Sequence, residues 1–394
     1  MRKPKVLFLT EGKDIPSTRF SVSSFLPYLE RHGISCSVSH RKPQKYSSVK
    51  LPCINYKIIR ILCYCLLIYP FSIILRFFDL WKTRFYDITF VQRDLDENHT
   101  SAWLERLFRK YSRCLIFYFD DAIWLSKNYF GRSLEQKIQE IIRMSDWIFV
   151  SHKYLADYAR RFNSSVLTFP MSIDTCIYSM KQDPIYMPSE EILKDRKNIS
   201  TNGSFAKPYR NLKKVILGWS GGPWNYPELL ELLNIFREIK EKTGAEILIQ
   251  SGTPPPVEIQ QIGVTYVPWQ RDTEIEVIQR MDIAICPLRD SPWTRGKFSI
   301  KLLQYMACGI PVICSDVGVN REIIIDGLVG FVVKEEEEWR TKILTLVHDR
   351  EKRKQMGKAA RQRAENCYSI KKGSIWLADF FLSQTKDYRN NLVV

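Results

Sequence analysis

The chain has 394 residues, 45% of them hydrophobic and 26% charged, with a net charge of +16. That length exceeds one ordinary hydrophobic core and predicts two domains, and the composition excludes a disordered or fibrous chain. The positive balance favours anionic membrane surfaces, phosphorylated substrates or other polyanions. No zinc-finger spacing, RNP-like run or basic heptad helix marks a nucleic-acid binder.

From the N-terminus, residues 6–10 read as a buried strand. The apolar core at 6–9 is too short for the h-region of a signal peptide. A polar loop, EGKDIPSTR, follows at 11–19, then a helix over 20–32 and a second strand over 34–38. Strand, loop, helix, strand opens a parallel α/β domain, in which ligands bind at the carboxyl ends of the strands. Ser17, Thr18 and Arg19 fall at that edge; for Arg19, a solvated surface charge is the competing reading.

Residues 58–81 hold the most apolar stretch, ILCYCLLIYPFSIIL, of 15 residues with Pro70 inside it. A spanning helix needs roughly 20 apolar residues. A buried helix, an interfacial helix and a marginal membrane segment all stay open; flanking Lys57, Arg60, Arg76 and Lys82 suit a helix lying on anionic lipid.

Further parallel strands are predicted at 87–92, 114–119, 147–151 and 166–169, with a helix over 134–144. The strand at 114–119 ends in Asp120 and Asp121. Those acids either orient sugar hydroxyls and act on a leaving group, or one of them merely caps the next helix. Asp94 and Asp96 spell an isolated DxD, which reads as a loop. Regular periodicity then fades, and Pro, Asn, Ser and Lys accumulate, which makes residues 176–213 a linker between domains at 1–175 and 214–370. A C-terminal helix and tail occupy 371–394.

The second half repeats the α/β pattern. A strand at 215–219 leads into SGGPWNY, where Gly221 and Gly222 allow a ligand close to the backbone. A helix over 227–242 follows, then strands at 245–250, 263–267 and 282–287. Trp269, just past a strand end, either shapes a base pocket or packs under the loop. Residues 295–316, RGKFSIKLLQYMACGIPVICSD, form the central motif. A helix over 300–307 is stopped by Gly309 and Pro311, and a strand follows at 311–314. Ser299 is positioned as an N-cap, which would aim the free amides of Ile300, Lys301 and Leu302 at an anion. Lys297 and Lys301 would converge on the same anion, and Gln304 lies one turn further on the Lys301 face. A strand at 330–333 and helices over 335–347, 352–367 and 373–385 complete the chain.

Ten cysteines are scattered singly apart from Cys63 and Cys65, and the five histidines stand alone. That usage argues against structural zinc and fits a reducing cytosol.

The segment PLRDSPWTRGKFSIKLLQYMACGIPVICSDVGVNREIIIDGLVGFVV closely resembles the nucleotide-binding region of glycosyltransferase family 4. PSTRF in the first loop, FYFDDAIW after a central strand and GWSGGPWN opening the second half are similar to the same family. The resemblance implies the GT-B fold: α/β, two Rossmann-like domains whose parallel sheets face a central cleft. It also implies a retaining, metal-independent, cofactor-free hexosyl transfer from a nucleotide-sugar to a lipid-linked or polysaccharide acceptor, in cell-envelope or surface-polysaccharide synthesis. The expected site is cytoplasmic, at the inner face of the membrane. By that resemblance Lys297, Lys301 and Asp121 act in catalysis. Gly221, Gly222, Trp269, Ser299, Ile300, Lys301, Leu302 and Gln304 hold the donor, and Ser17, Thr18, Arg19, Asp120 and Asp121 hold the acceptor. The family's two glutamates, eight positions apart, are replaced here by Gly296 and Gln304, and its usual Arg and Lys are missing from SGGPWNYPELL. Two rivals remain: a catalytically silent nucleotide-sugar or glycan binder, and a nucleotide-sugar epimerase. A dinucleotide enzyme is disfavoured because GxGxxG with a downstream acid is missing.

Overall fold

The structure, a computed structural model, describes residues 3–13, 15–42, 69–96, 98–128, 130–180 and 214–390. The sequence reading at 58–68 and most of the linker, 181–213, lie outside the described residues. Two sheets of six parallel strands organise the rest. The first comprises β1 (Lys5–Gly12), β2 (Ser35–Lys42), β3 (Ile88–Gln92), β4 (Leu115–Phe119), β5 (Trp147–Val150) and β6 (Val166–Thr168). Its spatial order is β2-β1-β3-β4-β5-β6. The second comprises β7 (Ile216–Ser220), β8 (Glu246–Ser251), β9 (Thr265–Pro268), β10 (Ile283–Cys286), β11 (Val312–Ser315) and β12 (Gly330–Val333). Its order is β12-β11-β10-β7-β8-β9.

Strands β3, β4, β7 and β10 are buried along their whole length. That is what a parallel sheet covered on both faces requires, and it explains their unbroken apolar runs. Each sheet reverses its strand order once, between β1 and β3 in the first and between β7 and β10 in the second. A crevice opens at such a reversal because the flanking loops depart in opposite directions. The loops that leave β1, β3, β7 and β10 are therefore the ones placed to meet a ligand.

The helix expected at 20–32 is broken. Helical turns start already at Pro16–Thr18, widen over Arg19–Ser23 and resume at Leu26–Arg31. Ser24 reaches back to the Arg19 carbonyl, five residues away, at 3.0 Å. The apolar segment yields a helix described over Tyr69–Thr83, which includes Pro70. No helix among the described residues is long and apolar enough to cross a membrane.

The chain passes between the halves twice, near residues 171–180 and 368–370. The two passages pair: the Ile173 amide donates to the Tyr368 carbonyl at 2.8 Å, and the Ile370 amide returns to the Ile173 carbonyl at 3.0 Å. Arg361 fastens them, donating to the carbonyls of Thr175, Tyr178 and Ala307 at 2.8, 2.5 and 2.6 Å. The final helix, Ile370–Asn390, then packs Ile370, Leu377, Ala378 and Phe381 into the core of the first sheet.

The isolated DxD supports the fold from inside. Lys137, fully enclosed, pairs with Asp94 at 3.0 Å and Glu105 at 3.6 Å and also bonds the Asp96 carbonyl. Burial would raise the Asp94 carboxyl, but Lys137 and Arg41 outweigh it and hold Asp94 down to about 2. Lys137→Ala strands the buried Glu105 carboxylate and leaves Asp94 with Arg41 alone. We expect it to destabilise the protein by roughly 3–5 kcal/mol, read as a lower urea midpoint; an unchanged midpoint would contradict this account of the cluster.

Candidate active site

The first sheet contributes one wall. Ser17 sits in the turn after β1 and donates to Asp120 at 2.5 Å, while Thr18 donates to Gln92 at 2.8 Å. Gln92 in turn donates to Ser17 and Ser21, at 2.8 and 2.9 Å. These hydroxyls are buried and bound to one another, so Thr18 faces the sheet rather than the cleft.

Beyond β3, Arg93 adopts a left-handed backbone with φ of 62°. A side chain there costs roughly 1–2 kcal/mol. The offset comes from its guanidinium, which bonds Asp121 and lies 3.3 Å from Asp120. Both acids follow β4. Burial, reinforced by the Asp120 charge, raises the Asp121 carboxyl to about 6, against the pull of Arg93 and Lys297. Nothing in the sequence singled out Arg93; its φ and its two acids are visible only in three dimensions.

Two lysines come from the second sheet, and the charge of one, Lys297, reaches Asp121. Lys297 and Lys301 follow β10, and neither forms an ion pair or a side-chain hydrogen bond among the described residues. Lys301 is half-buried, with its ammonium 4.7 Å above the Trp219 ring. Burial lowers Lys301 to about 8, opposed by Cys286 and aided by the Lys297 charge. Gly221 is needed beside it: a Cβ there would come within 2.7 Å of the Lys301 ammonium. Gly222, next in the loop after β7, is covered by the Trp224 ring.

The N-cap expectation needs correction. Ser299 holds the N-cap position of the Ile300–Ala307 helix, but its hydroxyl makes no cap bond and is buried without a partner. The amides of Ile300 and Leu302 are already engaged, by the carbonyls of Phe298 and Ser299 at 2.9 Å each. The anion-binding capacity of this helix start therefore rests on the Lys301 amide and the two ammonium groups, not on three free amides.

The remaining sequence candidates meet at a second point of contact between the halves. Arg19 donates to Glu274 at 2.6 Å and to the Tyr178 hydroxyl at 2.5 Å. Tyr178 also donates to Glu274, at 2.7 Å, and accepts from Gln304 at 3.0 Å; the Trp269 indole donates to Glu274 at 3.0 Å. Burial would raise Glu274, yet Arg19 outweighs it and the carboxyl is lowered. Arg19 is thus an ion-pair partner across the halves rather than a solvated charge, and Gln304 spends its amide on Tyr178.

Gly296 is explained by a third contact. It packs against Ala122 so closely that a Cβ would fall 2.4 Å from the Ala122 Cβ. Beside it, buried His152 lies 3.1 Å from the Gly296 carbonyl, and burial lowers its imidazole despite that hydrogen bond.

Residues 259–363, which include both lysines and Gln304, match the family model for glycosyl transferases group 1. Spore coat protein SA of Bacillus subtilis is 29% identical over 112 residues, covering 27% of this chain; the chain spans 29% of the length of that curated relative. Three solved structures resemble nearly the whole chain. Sucrose-phosphate synthase from Thermosynechococcus elongatus aligns with a TM-score of 0.69 at 13% identity, over 98% of this chain and 100% of that one. A glycosyltransferase from Rickettsia africae gives 0.64 at 13%, over 98% and 100%. Anabaena HepE in complex with UDP gives 0.60 at 14%, over 96% and 100%. The chain therefore carries a glycosyltransferase group 1 segment on a GT-B fold.

Gly296→Ala, whose φ of −88° suits any residue, tests the contact by steric means alone. We expect a larger radius of gyration in small-angle scattering or a lower melting temperature. No change in either would show that the halves do not meet there in solution.

Proposed function

We propose that this protein is a glycosyltransferase that moves a hexose from a nucleotide-sugar donor to a lipid-linked or glycan acceptor, with retention and without a metal or other cofactor. The observation that carries the reading is the pair Lys297 and Lys301, which form no ion pair among the described residues, with the Lys297 charge reaching Asp121 in the Arg93-bound acid wall. In this reading residues 214–370 bind the donor, residues 1–175 bind the acceptor, 176–213 link them and 371–394 return to the first half.

The donor diphosphate lies against Lys297, Lys301 and the Gly221–Gly222 loop, with Ser299, Ile300 and Leu302 lining the helix start. Trp269 and Gln304, held by Glu274 and Tyr178, border the nucleoside side. As the sugar–phosphate bond breaks, its electron pair goes to the diphosphate, and the two ammonium groups stabilise that charge. The acceptor oxygen enters on the face the diphosphate leaves, and its proton passes to a departing phosphate oxygen. No protein nucleophile is required. Asp121 orients the acceptor or sugar hydroxyls, and Ser17, Thr18, Arg19 and Asp120 fix that wall. Approach of the two halves over the donor excludes water. The similarity to a spore coat protein supports a role in envelope or surface-polysaccharide synthesis; a cytoplasmic site at the inner membrane face is part of the same proposal.

A second reading, a silent nucleotide-sugar binder, is favoured by one observation: Gly296 and Gln304, where family glutamates are expected, are both consumed by contacts between the halves. A panel of UDP-, GDP- and ADP-sugars followed by mass spectrometry decides between them. Turnover with any donor supports the enzyme; a nucleotide-induced rise in melting temperature with no turnover would leave only the binder.

Lys301→Ala should weaken donor binding by roughly tenfold to a hundredfold, the value of one charge-assisted contact, and lower turnover; unchanged kinetics would remove the lysine from the site. The pH profile carries its own signature. Asp121 is ionised above about 6 and Lys301 is charged below about 8. The free enzyme should therefore show kcat/KM falling on both sides of pH 7. Asp121→Asn should remove the acidic limb and Lys301→Arg should push the alkaline limb upward. Limbs that stay in place in both variants would refute these assignments.

A further inference from the structure

The Tyr69–Thr83 helix has its polarity reversed relative to an ordinary surface helix. Its fully buried residues are polar, Ser72, Arg76, Asp79 and Thr83, and beside them Ile73 and Leu80 pack partly buried against the core. Arg76 is 1% exposed, paired with Asp79 at 3.1 Å and donating to the Thr10 carbonyl at 2.8 Å. Its outer face carries Phe71, Ile74, Phe78 and Trp81 at spacings of three and four, with Phe77 beside them and Phe85 just beyond the helix. All are exposed, Phe78 and Trp81 by 61% each. An exposed apolar stripe of this extent marks an interaction surface.

We infer that this stripe is a membrane-docking surface for an anionic lipid bilayer, on which the helix lies flat. Charge decides the partner. The stripe ends in a basic collar formed by Lys82, Arg84 and Lys110, the last two flanking the Tyr111 ring at 4.7 and 5.8 Å. The helix's single acid, Asp79, is 2% exposed and bound to Arg76; Lys82 lies 3.7 Å from it but keeps half of its side chain in water. Aromatic rings beside lysine and arginine match the boundary between acyl chains and anionic headgroups. A second copy of this chain would instead bring the same basic collar against itself.

The stripe also points toward the site. Tyr69, at the helix start, donates to Asp96 at 3.1 Å, and Asp96 lies in the loop that carries Arg93. A bilayer under Phe71–Trp81 would thus meet the first half next to the acid wall, where a lipid-linked acceptor would emerge. The inference rests on the proposed acceptor for this purpose only; lipid binding itself is read without any transfer.

The test uses the full chain and flotation with phosphatidylcholine vesicles, with and without phosphatidylglycerol. The wild type should float with the anionic vesicles, less so in high salt. The double variant Phe78→Ser, Trp81→Ser should lose at least tenfold in partitioning. Lys82→Glu with Arg84→Glu should lose roughly fivefold for each charge removed, together with the salt dependence. UDP-induced stabilisation should be unchanged in both variants, which separates this surface from the donor site and shows that the variants are folded. Absence of flotation in the wild type, equal flotation of all proteins, or a wild-type dimer in sedimentation that the serine variant dissociates would each overturn the proposal.

Discussion

A buried ion pair between residues 255 positions apart, Arg19 and Glu274, joins the two sheets at their carboxyl edges. Each charge is mostly removed from water, so each would be costly alone. Tyr178, Trp269 and Gln304 satisfy the remaining donors and acceptors, which is what makes the pair tolerable. Because its members come from the turn after β1, from the crossing segment and from three places in the second half, the cluster fixes the relation of the loops on which the site is built.

The site itself follows the opposite rule. Where the Arg19 cluster neutralises every charge, Lys297 and Lys301 form no ion pair among the described residues, while Asp120 and Asp121 are bound to Arg93. Positive charge is thus concentrated on one wall and held ready, and acidity is restrained on the other. The shifted Lys301 and Asp121 groups are the electrostatic record of that arrangement. A substrate carrying two phosphates completes it more naturally than any protein group present.

Much of the fold was legible in the sequence because parallel strands with both faces covered read as short apolar runs between polar loops. The strand ends at Phe119, Ser220 and Cys286 located Asp120, Gly221 and the lysine motif by chain direction alone. Other features had no local signal. The apolar pattern at 20–32 concealed a widened turn, because periodicity reports which residues are buried and not how the backbone closes. Tyr178 fell within a stretch read as linker, since one buried tyrosine among polar residues carries no period. Gly296 looked like a missing acid, and only the proximity of Ala122 gives it a steric cause. The helix at Tyr69–Thr83 was foreseen as apolar, but that its fully buried residues would be the polar ones could not be read from hydrophobic content.

The paired backbone at Ile173 and Ile370 restricts how the halves can move. Two strands of chain passing between rigid bodies at separate places would permit shear, twist and translation. Here both pass at one point and are hydrogen-bonded to each other, with Arg361 bracing them. An excursion that preserves those bonds pivots about that point, so the cleft would open by rotation rather than by separation of the halves there. A pivot of this kind returns Gly296 to Ala122 and Arg19 to Glu274 in the same register after every cycle. Geometric reproducibility at the site is then tied to the joint through Tyr178, whose carbonyl Arg361 holds while its hydroxyl meets Arg19, Glu274 and Gln304.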